Sequence, residues 1–140
     1  MSKSTIGTYK HTVWHSCATY VKLRDSDKNG WCRCCTCNKA IRYDDSNTQA
    51  GHFVPGHNNT TYFDDAHIHA QCYMCNNYGN GEQAKYSLFL KKKYGYDDAT
   101  LEEILNRKFA KKKVTMEELK DIKKHFDECS DLLRKEKGLK

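Results

Sequence analysis

Two Cys-x-x-Cys pairs are the strongest chemical signal in this chain of 140 residues. Cys34 and Cys37 form the first pair, and Cys72 and Cys75 form the second after 34 intervening residues. Zinc prefers four tetrahedral ligands, and a gap of two residues lets one tight turn supply two thiolates at about 2.3 Å from the metal. The spacing therefore predicts a structural Zn²⁺ site made of these four cysteines.

The register of the first pair is open to one alternative, because Cys32 and Cys35 have the same spacing. We favour the pair that begins at Cys34, since the Asn-Lys dipeptide that follows it is typical of the exit from a zinc knuckle. The remaining two cysteines lie on predicted apolar helix faces and are expected in the core: Cys17 and Cys129.

The segment between the two pairs is rich in groups that can do acid–base and metal chemistry. It holds four of the seven histidines, and the second of its two aspartate pairs lies among them; these residues are His52, His57, His67, His69, Asp64 and Asp65. Hydrolysis of a phosphodiester needs a base that activates water and a divalent cation that neutralises developing charge. Histidine titrates in the range that such a base needs. The amide oxygen of Asn76, directly after a zinc cysteine, suits a hard cation such as Mg²⁺.

A strand that ends in a histidine, a loop, and a helix whose first turn carries a metal ligand together resemble the ββα-metal motif of the HNH nucleases. More specifically, the chain resembles the NinG/Rap recombination nucleases of lambdoid phages over roughly residues 12–95. The matching motifs are Cys34-x-x-Cys37, Gly51-His52-Phe53, Tyr62-Phe63-Asp64-Asp65, Ile68-His69-Ala70-Gln71-Cys72-x-x-Cys75-Asn76, Gly81, Tyr86 and Tyr94-Gly95. The resemblance implies a DNA endonuclease that uses Mg²⁺ or Mn²⁺ on branched recombination intermediates. Residues from 97 onward match no motif of the family.

The chain departs from this pattern at two positions. His67 stands where the family usually has an asparagine, so the orientation of the catalytic histidine needs another partner. Gly51 stands where many HNH enzymes place a metal-binding aspartate or histidine, so another residue is needed to complete the metal shell. A water-rich shell with Asn76 and one other ligand is the alternative. The candidates for the missing ligand, in order of preference, are Asp64, His69 and His57.

Each candidate also has a structural interpretation. His52 could be a hydrogen-bonded structural histidine, and Asn76 could cap a helix, since asparagine caps well. We favour catalysis for His52 and metal binding for Asn76. For His69 two interpretations are equally favoured: a role at or near the metal, and support of the zinc loop. His57 and His67 are expected to be surface residues or to make local hydrogen bonds.

The elements that must position these groups follow from periodicity and turn residues. An apolar face at helical spacing predicts a helix over 9–24 (Val13, Trp14, Cys17, Tyr20, Val21). A cysteine-rich strand and knuckle follow, and residues 47–54 predict a second strand that Pro55 stops.

The C-terminal part is predicted to be helical. A helix is expected over 83–94, ended by Gly95, and a second from a Thr100 cap to about Lys108. Thr115 and Glu118 form a capping box for a long helix through the mid-130s. Its apolar stripe is Leu119, Ile122, Phe126, Cys129 and Leu133.

Composition favours a cytoplasmic protein with an anionic partner. The formal net charge is +6, and no stretch is apolar enough for a membrane span or a signal peptide. In a reducing cytoplasm, eight cysteines indicate metal ligands and free thiols instead of disulfides. Two lysine runs are predicted to contact DNA phosphates, although a run of this kind can also be a solvated helix face. These lysines are Lys91, Lys92, Lys93, Lys111, Lys112 and Lys113.

These inferences predict an α+β protein with a small zinc-stapled ββα-metal core, an N-terminal helix and C-terminal helices. The expected division is a nuclease domain at 1–95 and a basic helical extension at 96–140. The expected function is a divalent-metal-dependent, structure-directed DNA endonuclease, with two subunits needed to cut both strands, in the cytoplasm of a phage-infected bacterium. The alternative is a non-catalytic, zinc-stabilised adaptor that binds nucleic acid.

Overall fold

The computed structural model describes residues 3–140, with side chains from Thr5 onward. The first element is the helix α1, Lys3–Asp25, which begins earlier than the sequence predicts. Val13, Cys17 and Val21 are fully buried at intervals of four residues, so the predicted apolar face of this helix is confirmed.

A short antiparallel hairpin follows α1 and carries the first cysteine pair. Its strands are β1, Trp31–Arg33, and β2, Ala40–Arg42, paired with Cys32 opposite Ile41. The turn between them reverses through Asn38, whose φ of 64° lies in the left-handed region that asparagine tolerates better than most residues.

A second antiparallel pair forms the centre of the molecule. It consists of β3, Thr48–His52, and β4, Ile68–Cys72. The register places Gln49 opposite Gln71 and Gly51 opposite His69, so the side chains of Gln49, Gln71 and His69 lie on one face, on which Gly51 contributes no side chain. β3 ends two residues earlier than the predicted span, because the chain bends at residues 53–54 just before Pro55.

The chain leaves β4 through one π-helical turn, Met74–Tyr78, which we call the π turn, and enters α2, Gln83–Tyr94. The bounds of α2 agree with the sequence prediction, and Gly95 ends it in the left-handed conformation at φ 71°. Tyr86 and Leu90 of α2 are fully buried in a cluster with Phe53, Val54, Leu101 and Ile104. The α+β class predicted from the sequence is therefore confirmed.

Two more helices complete the chain: α3, Asp98–Asn106, and α4, Met116–Lys137. The predicted Thr100 cap of α3 is wrong, because the Asp97 carboxylate lies one turn earlier and accepts the Thr100 backbone N–H at 2.8 Å. Helix α3 ends at Asn106 and passes into a single 3-10 turn, Arg107–Phe109. The predicted Thr115 cap is confirmed, since its hydroxyl accepts the Glu118 N–H at 3.1 Å.

Helix α4 packs along α1. Phe126 is buried with Cys17, Ala50 and Ile68, and its ring lies 5.4 Å from that of Tyr20. The division at residue 95 stays a prediction, but the last helix shares a core with the first helix and with β3 and β4. No described helix is long and apolar enough to cross a membrane.

Candidate metal centre and candidate active-site cleft

The four predicted zinc ligands converge on one point. The sulfurs of Cys34, Cys37, Cys72 and Cys75 all lie within 4.8 Å of one another, and those of Cys37 and Cys72 are 3.8 Å apart. Four thiolates at about 2.3 Å from a tetrahedral zinc require sulfur separations of about 3.8 Å. The hairpin supplies one pair and the end of β4 supplies the other. These cysteines can therefore hold a zinc ion.

The geometry also decides the register of the first pair. Cys32 is buried on β1 and Cys35 is partly buried, and neither belongs to the four-sulfur cluster. Burial opposes ionisation of Cys34, but hydrogen bonds from the Thr36 hydroxyl and from nearby backbone amides outweigh it and lower the pKa of the Cys34 thiol to about 6. Cys34 is thereby prepared to act as a thiolate ligand.

A cleft of about 540 Å³ lies beside the zinc centre. Its walls are α1, β3, the loop that follows β3, and the π turn. His52 and Asn76 both line it, although they are 24 positions apart in the sequence, and so does His57, the third candidate for the missing metal ligand. The lining side chains used below are His52, Asn76, Gln49, Trp14, Lys22 and Tyr62.

The imidazole of His52 is held in one orientation. It stacks on Trp14 with ring centroids 4.5 Å apart and on Tyr62 at 5.1 Å. Its Nε2 atom lies 2.9 Å from the backbone carbonyl of Tyr62. Because a carbonyl only accepts, Nε2 carries the proton and Nδ1 keeps a free lone pair.

The electrostatics favour neutral His52. Burial is the largest effect that lowers the pKa of its imidazole, and the nearby positive charge of Lys10 adds to it. A base must be unprotonated to accept a proton, and the lowered pKa keeps this histidine in that form at neutral pH. The Tyr62 carbonyl and the two aromatic rings also supply the orienting contacts that His67 does not.

Asn76 lies within the π turn and does not cap a helix. The residue preceding this turn is Tyr73, and no side chain caps it. The Asn76 Nδ2 group donates to Gln49 Oε1 at 2.6 Å, which fixes the orientation of the amide. Its Oδ1 atom accepts no hydrogen bond within residues 3–140. The capping alternative is therefore not what the geometry favours.

The Asn76 oxygen faces the Gly51 backbone, as does the amide of Gln71. A Cβ added to Gly51 would lie 1.9 Å from Gln71 Oε1 and 3.2 Å from Asn76 Oδ1. Gln71 is fully buried, and its Oε1 has no hydrogen-bond partner among the described residues. Two amide oxygens that lack donors thus face one small space. An oxygen-only donor set of this kind fits a hard divalent cation.

Asp64, the first candidate for the missing metal ligand, does not line the cleft. Its Oδ2 atom lies 2.8 Å from His67 Nδ1 and 3.4 Å from Arg107 Nη1. These partners, with His67 foremost, lower the pKa of the Asp64 carboxyl. His67 also reaches the Tyr96 hydroxyl through Nε2 at 3.1 Å. Asp64 therefore ties the loop before β4 to the 3-10 turn after α3.

His69 also lies outside the cleft, in a buried hydrogen-bonded row. Its Nδ1 is 3.2 Å from the Tyr86 hydroxyl, and its Nε2 is 3.3 Å from the Tyr94 hydroxyl. Burial lowers the pKa of His69 to about 3, so the ring is neutral. Tyr86 in turn donates to the Gly51 carbonyl at 2.7 Å. This row buttresses the strand residue next to His52.

Lysines lie in the cleft and along the loop that borders it. Lys22 lines the cleft, and Lys10 Nζ contacts the His57 carbonyl and Asn59 Oδ1, each at 2.6 Å. The run Lys111–Lys113 is exposed in the segment before α4, not on a helix face. Asn59 donates to the Lys112 carbonyl at 2.8 Å and so ties this run to the loop that borders the cleft.

The run Lys91–Lys93 lies in the last turn of α2. Lys91 forms an ion pair with Asp98, and Lys93 Nζ lies 5.9 Å from the centre of the Phe89 ring and 5.7 Å from that of Tyr94. Within this run, Lys92 is the residue that forms neither an ion pair nor a ring contact with another described residue. The structure therefore distinguishes the two runs, since Lys111–Lys113 is the more exposed one.

Sequence reasoning missed part of this site. Gln71 stands within a matched motif but received no role, because a glutamine in a strand does not by itself indicate a metal ligand. Trp14 was expected only on an apolar helix face, and the Tyr62 carbonyl is invisible to any side-chain motif. The place of Lys22 inside the cleft depends on how α1 crosses β3, which the sequence pattern does not give.

The fold and the metal centre define a small α+β protein with a four-cysteine, zinc-type site. The chain belongs to the family described as bacteriophage lambda NinG protein, whose model matches residues 4–136. This match includes the C-terminal helices, so the family extends well beyond the stretch of 12–95 that the motifs indicate. No curated protein and no solved structure matches the chain.

Proposed function

We propose that the protein is a divalent-metal-dependent DNA endonuclease of the HNH type. The observation that carries this proposal is the convergence of His52 and Asn76 on one cleft. One presents a free imidazole nitrogen, and the other presents a free amide oxygen. A binding module has no need of this pair. The order of β3, β4 and α2 is also the order of the ββα-metal motif, and the second cysteine pair lies between β4 and α2. Asn76 lies in the π turn before α2 and not, as the sequence predicts, in the first turn of the helix.

In this proposal His52 is the general base. Its Nδ1 accepts the proton of a water molecule that attacks the scissile phosphorus, while the Tyr62 carbonyl holds the proton on Nε2. Stacking between Trp14 and Tyr62 prevents the ring from rotating away. A positioned base of this kind contributes roughly 10²–10⁴ in rate.

Asn76 is the proposed ligand of the catalytic cation, Mg²⁺ or Mn²⁺. When bound, such a cation stabilises negative charge on the phosphate and on the leaving oxygen. The zinc centre supports this role, because Cys75 precedes Asn76 and the sulfur cluster fixes the start of the π turn. Gln49 then sets the direction of the amide.

The lysines are proposed to bind the DNA backbone. Lys22 lies inside the cleft, where its ammonium can pair with a phosphate next to the scissile one. The tie between Asn59 and Lys112 holds Lys111–Lys113 beside the loop that borders the cleft. Phosphate contacts of this kind position DNA but carry no base information. We place Lys91–Lys93 second, because Lys91 is already paired with Asp98.

The proposed substrate is branched or partly single-stranded DNA. The helix α1 brings Trp14, Ala18 and Lys22 to the cleft, which is not a row of base-reading side chains, so shape and deformability are the proposed sources of selectivity. Branch points are where a duplex is opened or bent most easily. A single cleft cuts one strand, so two subunits are expected to act together on both strands. The expected setting is the cytoplasm of the infected bacterial host.

The test is nicking of supercoiled plasmid by the zinc-loaded protein, with and without Mg²⁺ or Mn²⁺. A second arm lets a labelled four-way junction or D-loop compete with an equal mass of linear duplex at fixed salt. We expect nicking only with the divalent cation, and faster cleavage of the branched DNA. Equal cleavage of both DNAs would refute the structure-directed part. Binding without any cleavage would favour the adaptor alternative.

A further inference from the structure

Gly51 raises a question that the proposed function leaves open. This position comes directly before the proposed base, and it offers no side chain to the cation. Its backbone is not in the left-handed region, since the positive-φ glycines are at positions 30, 56, 81, 95 and 138. Conformational freedom therefore does not explain the glycine. The lack of space for a side chain explains the glycine, because a Cβ at this position would lie 1.9 Å from Gln71 Oε1.

The amide of Gln71 is held with its oxygen toward Gly51. Its Nε2 group donates to the Gly81 carbonyl at 2.8 Å and to the Thr36 hydroxyl at 3.1 Å. A carbonyl cannot donate, so the nitrogen must face Gly81 and the oxygen must face the opposite way. Both amide hydrogens are satisfied, and they connect the zinc loop to the segment between the π turn and α2.

The oxygen of this amide is the unusual atom. Gln71 is fully buried, and its Oε1 finds no donor among the described residues. Buried acceptors are nearly always paired, so an unpaired one indicates a partner that the protein chain does not supply. The neighbouring free acceptor is Asn76 Oδ1. Two acceptors cannot satisfy each other, but a cation satisfies both.

We propose that Gln71 Oε1 is the second protein ligand of the divalent cation, in the place that a side chain at position 51 would otherwise occupy. This inference rests on the proposed function, because it completes the shell of the same cation. The ligand set is then two neutral amide oxygens, one from Asn76 and one from Gln71. Such a set leaves most of the positions to water and to phosphate oxygens, as Mg²⁺ prefers.

The experiment measures Mn²⁺ binding to the full-length, zinc-loaded protein without DNA, by the electron paramagnetic resonance signal of free Mn²⁺. Gln71→Met keeps the length of the side chain and removes the oxygen. Loss of an outer-shell partner alone weakens metal binding about 10- to 100-fold, so we expect Gln71→Met to raise the Kd at least tenfold. Gln83→Met is the matched control, because it removes an amide that donates to the Phe53 carbonyl at 3.0 Å but is no proposed ligand, and it should leave the Kd within about twofold.

A compensating variant separates a ligand role from a merely structural one. Gln71→Ala empties the space beside Gly51, and Gly51→Asp in the same chain supplies an oxygen from the other strand. We expect the double variant to bind Mn²⁺ at least as tightly as the wild type, whereas Gln71→Ala alone binds weakly. A structural role of the Gln71 amide would leave both variants equally impaired. Zinc content, measured on each variant, shows whether the four-cysteine centre is intact.

The outcomes distinguish this inference from the proposed function. If Asn76→Ala loses Mn²⁺ affinity while Gln71→Met keeps it, Gln71 is not a ligand, and the nuclease proposal stands. If the wild type neither binds Mn²⁺ nor nicks plasmid DNA, the proposed function fails, and this inference fails with it. If the double variant stays as weak as Gln71→Ala, the inference is overturned.

Discussion

Replacing Tyr86 by phenylalanine tests the buried hydrogen-bonded row behind β3, the strand that carries His52. The Tyr86 ring is fully buried and packs against Phe53 with ring centroids 5.5 Å apart, so phenylalanine preserves the packing. The hydroxyl is the only part removed. It donates to the Gly51 carbonyl at 2.7 Å and lies 3.2 Å from His69 Nδ1.

The magnitude follows from these two contacts. A buried polar group that loses its partner costs about 1–3 kcal/mol, whereas the exchange of one hydrogen bond for water costs about 1 kcal/mol. The Gly51 and His69 groups are both buried, so we expect a loss of about 1–3 kcal/mol in the free energy of unfolding. For a chain of this size the Tm should fall by roughly 3–10 °C.

The assay is thermal unfolding of the zinc-saturated protein by circular dichroism, without chelator. Tyr78→Phe is the control, because Tyr78 is 70% exposed and should change the stability by no more than about 0.5 kcal/mol. A change below about 0.5 kcal/mol for Tyr86→Phe as well would refute the claim that the row stabilises the strand pair.

Three further predictions concern the metal, the base and the lysines. Cys34→Ser should unfold the protein and release its zinc, because metal binding supplies much of the folding free energy. The control is Cys129→Ser, which changes a partly buried cysteine outside the cluster and should retain zinc. Retained zinc in Cys34→Ser would contradict the ligand assignment. Burial lowers the pKa of His52 from the ordinary histidine value of 6.5, so its base form persists below pH 6.5. In a plot of nicking rate against pH, the fall on the acid side should therefore have its midpoint below 6.5. A midpoint above 6.5 would contradict the assignment of the base. Alanine at Lys111–Lys113 should weaken DNA binding equally for all sequences and flatten its salt dependence, and an unchanged slope would show that these lysines are only solvated.

Much of the framework could be predicted because its signals are local. The four zinc cysteines need only a tight turn at each pair, and helix α2 has an apolar face and a glycine stop. The capping of α3 was harder, since Asp97 and Thr100 both cap well and lie three residues apart. Local pattern alone does not decide which of two good caps the chain uses.

The site could be predicted only in part, because it depends on contacts between distant segments. His52 and Asn76 follow from their positions next to recognisable motifs. The role of Gln71 depends on the register that sets Gly51 opposite His69, and a shift of one residue would turn its side chain to the other face. Asp64 was predicted as a metal ligand because it lies in a segment rich in candidate ligands. Its carboxylate is paired with His67 and Arg107, which the sequence pattern does not show.

The most direct test of the central claim is the nicking rate of His52→Ala beside the wild type, with saturating Mn²⁺ and supercoiled plasmid. Its DNA affinity and zinc content are measured on the same samples. We predict a rate lower by roughly 10²–10⁴, with DNA affinity and zinc content unchanged, because the imidazole is the proposed base and not a zinc ligand. Nicking by His52→Ala at the wild-type rate would contradict the assignment of the base and, with it, the proposed active site.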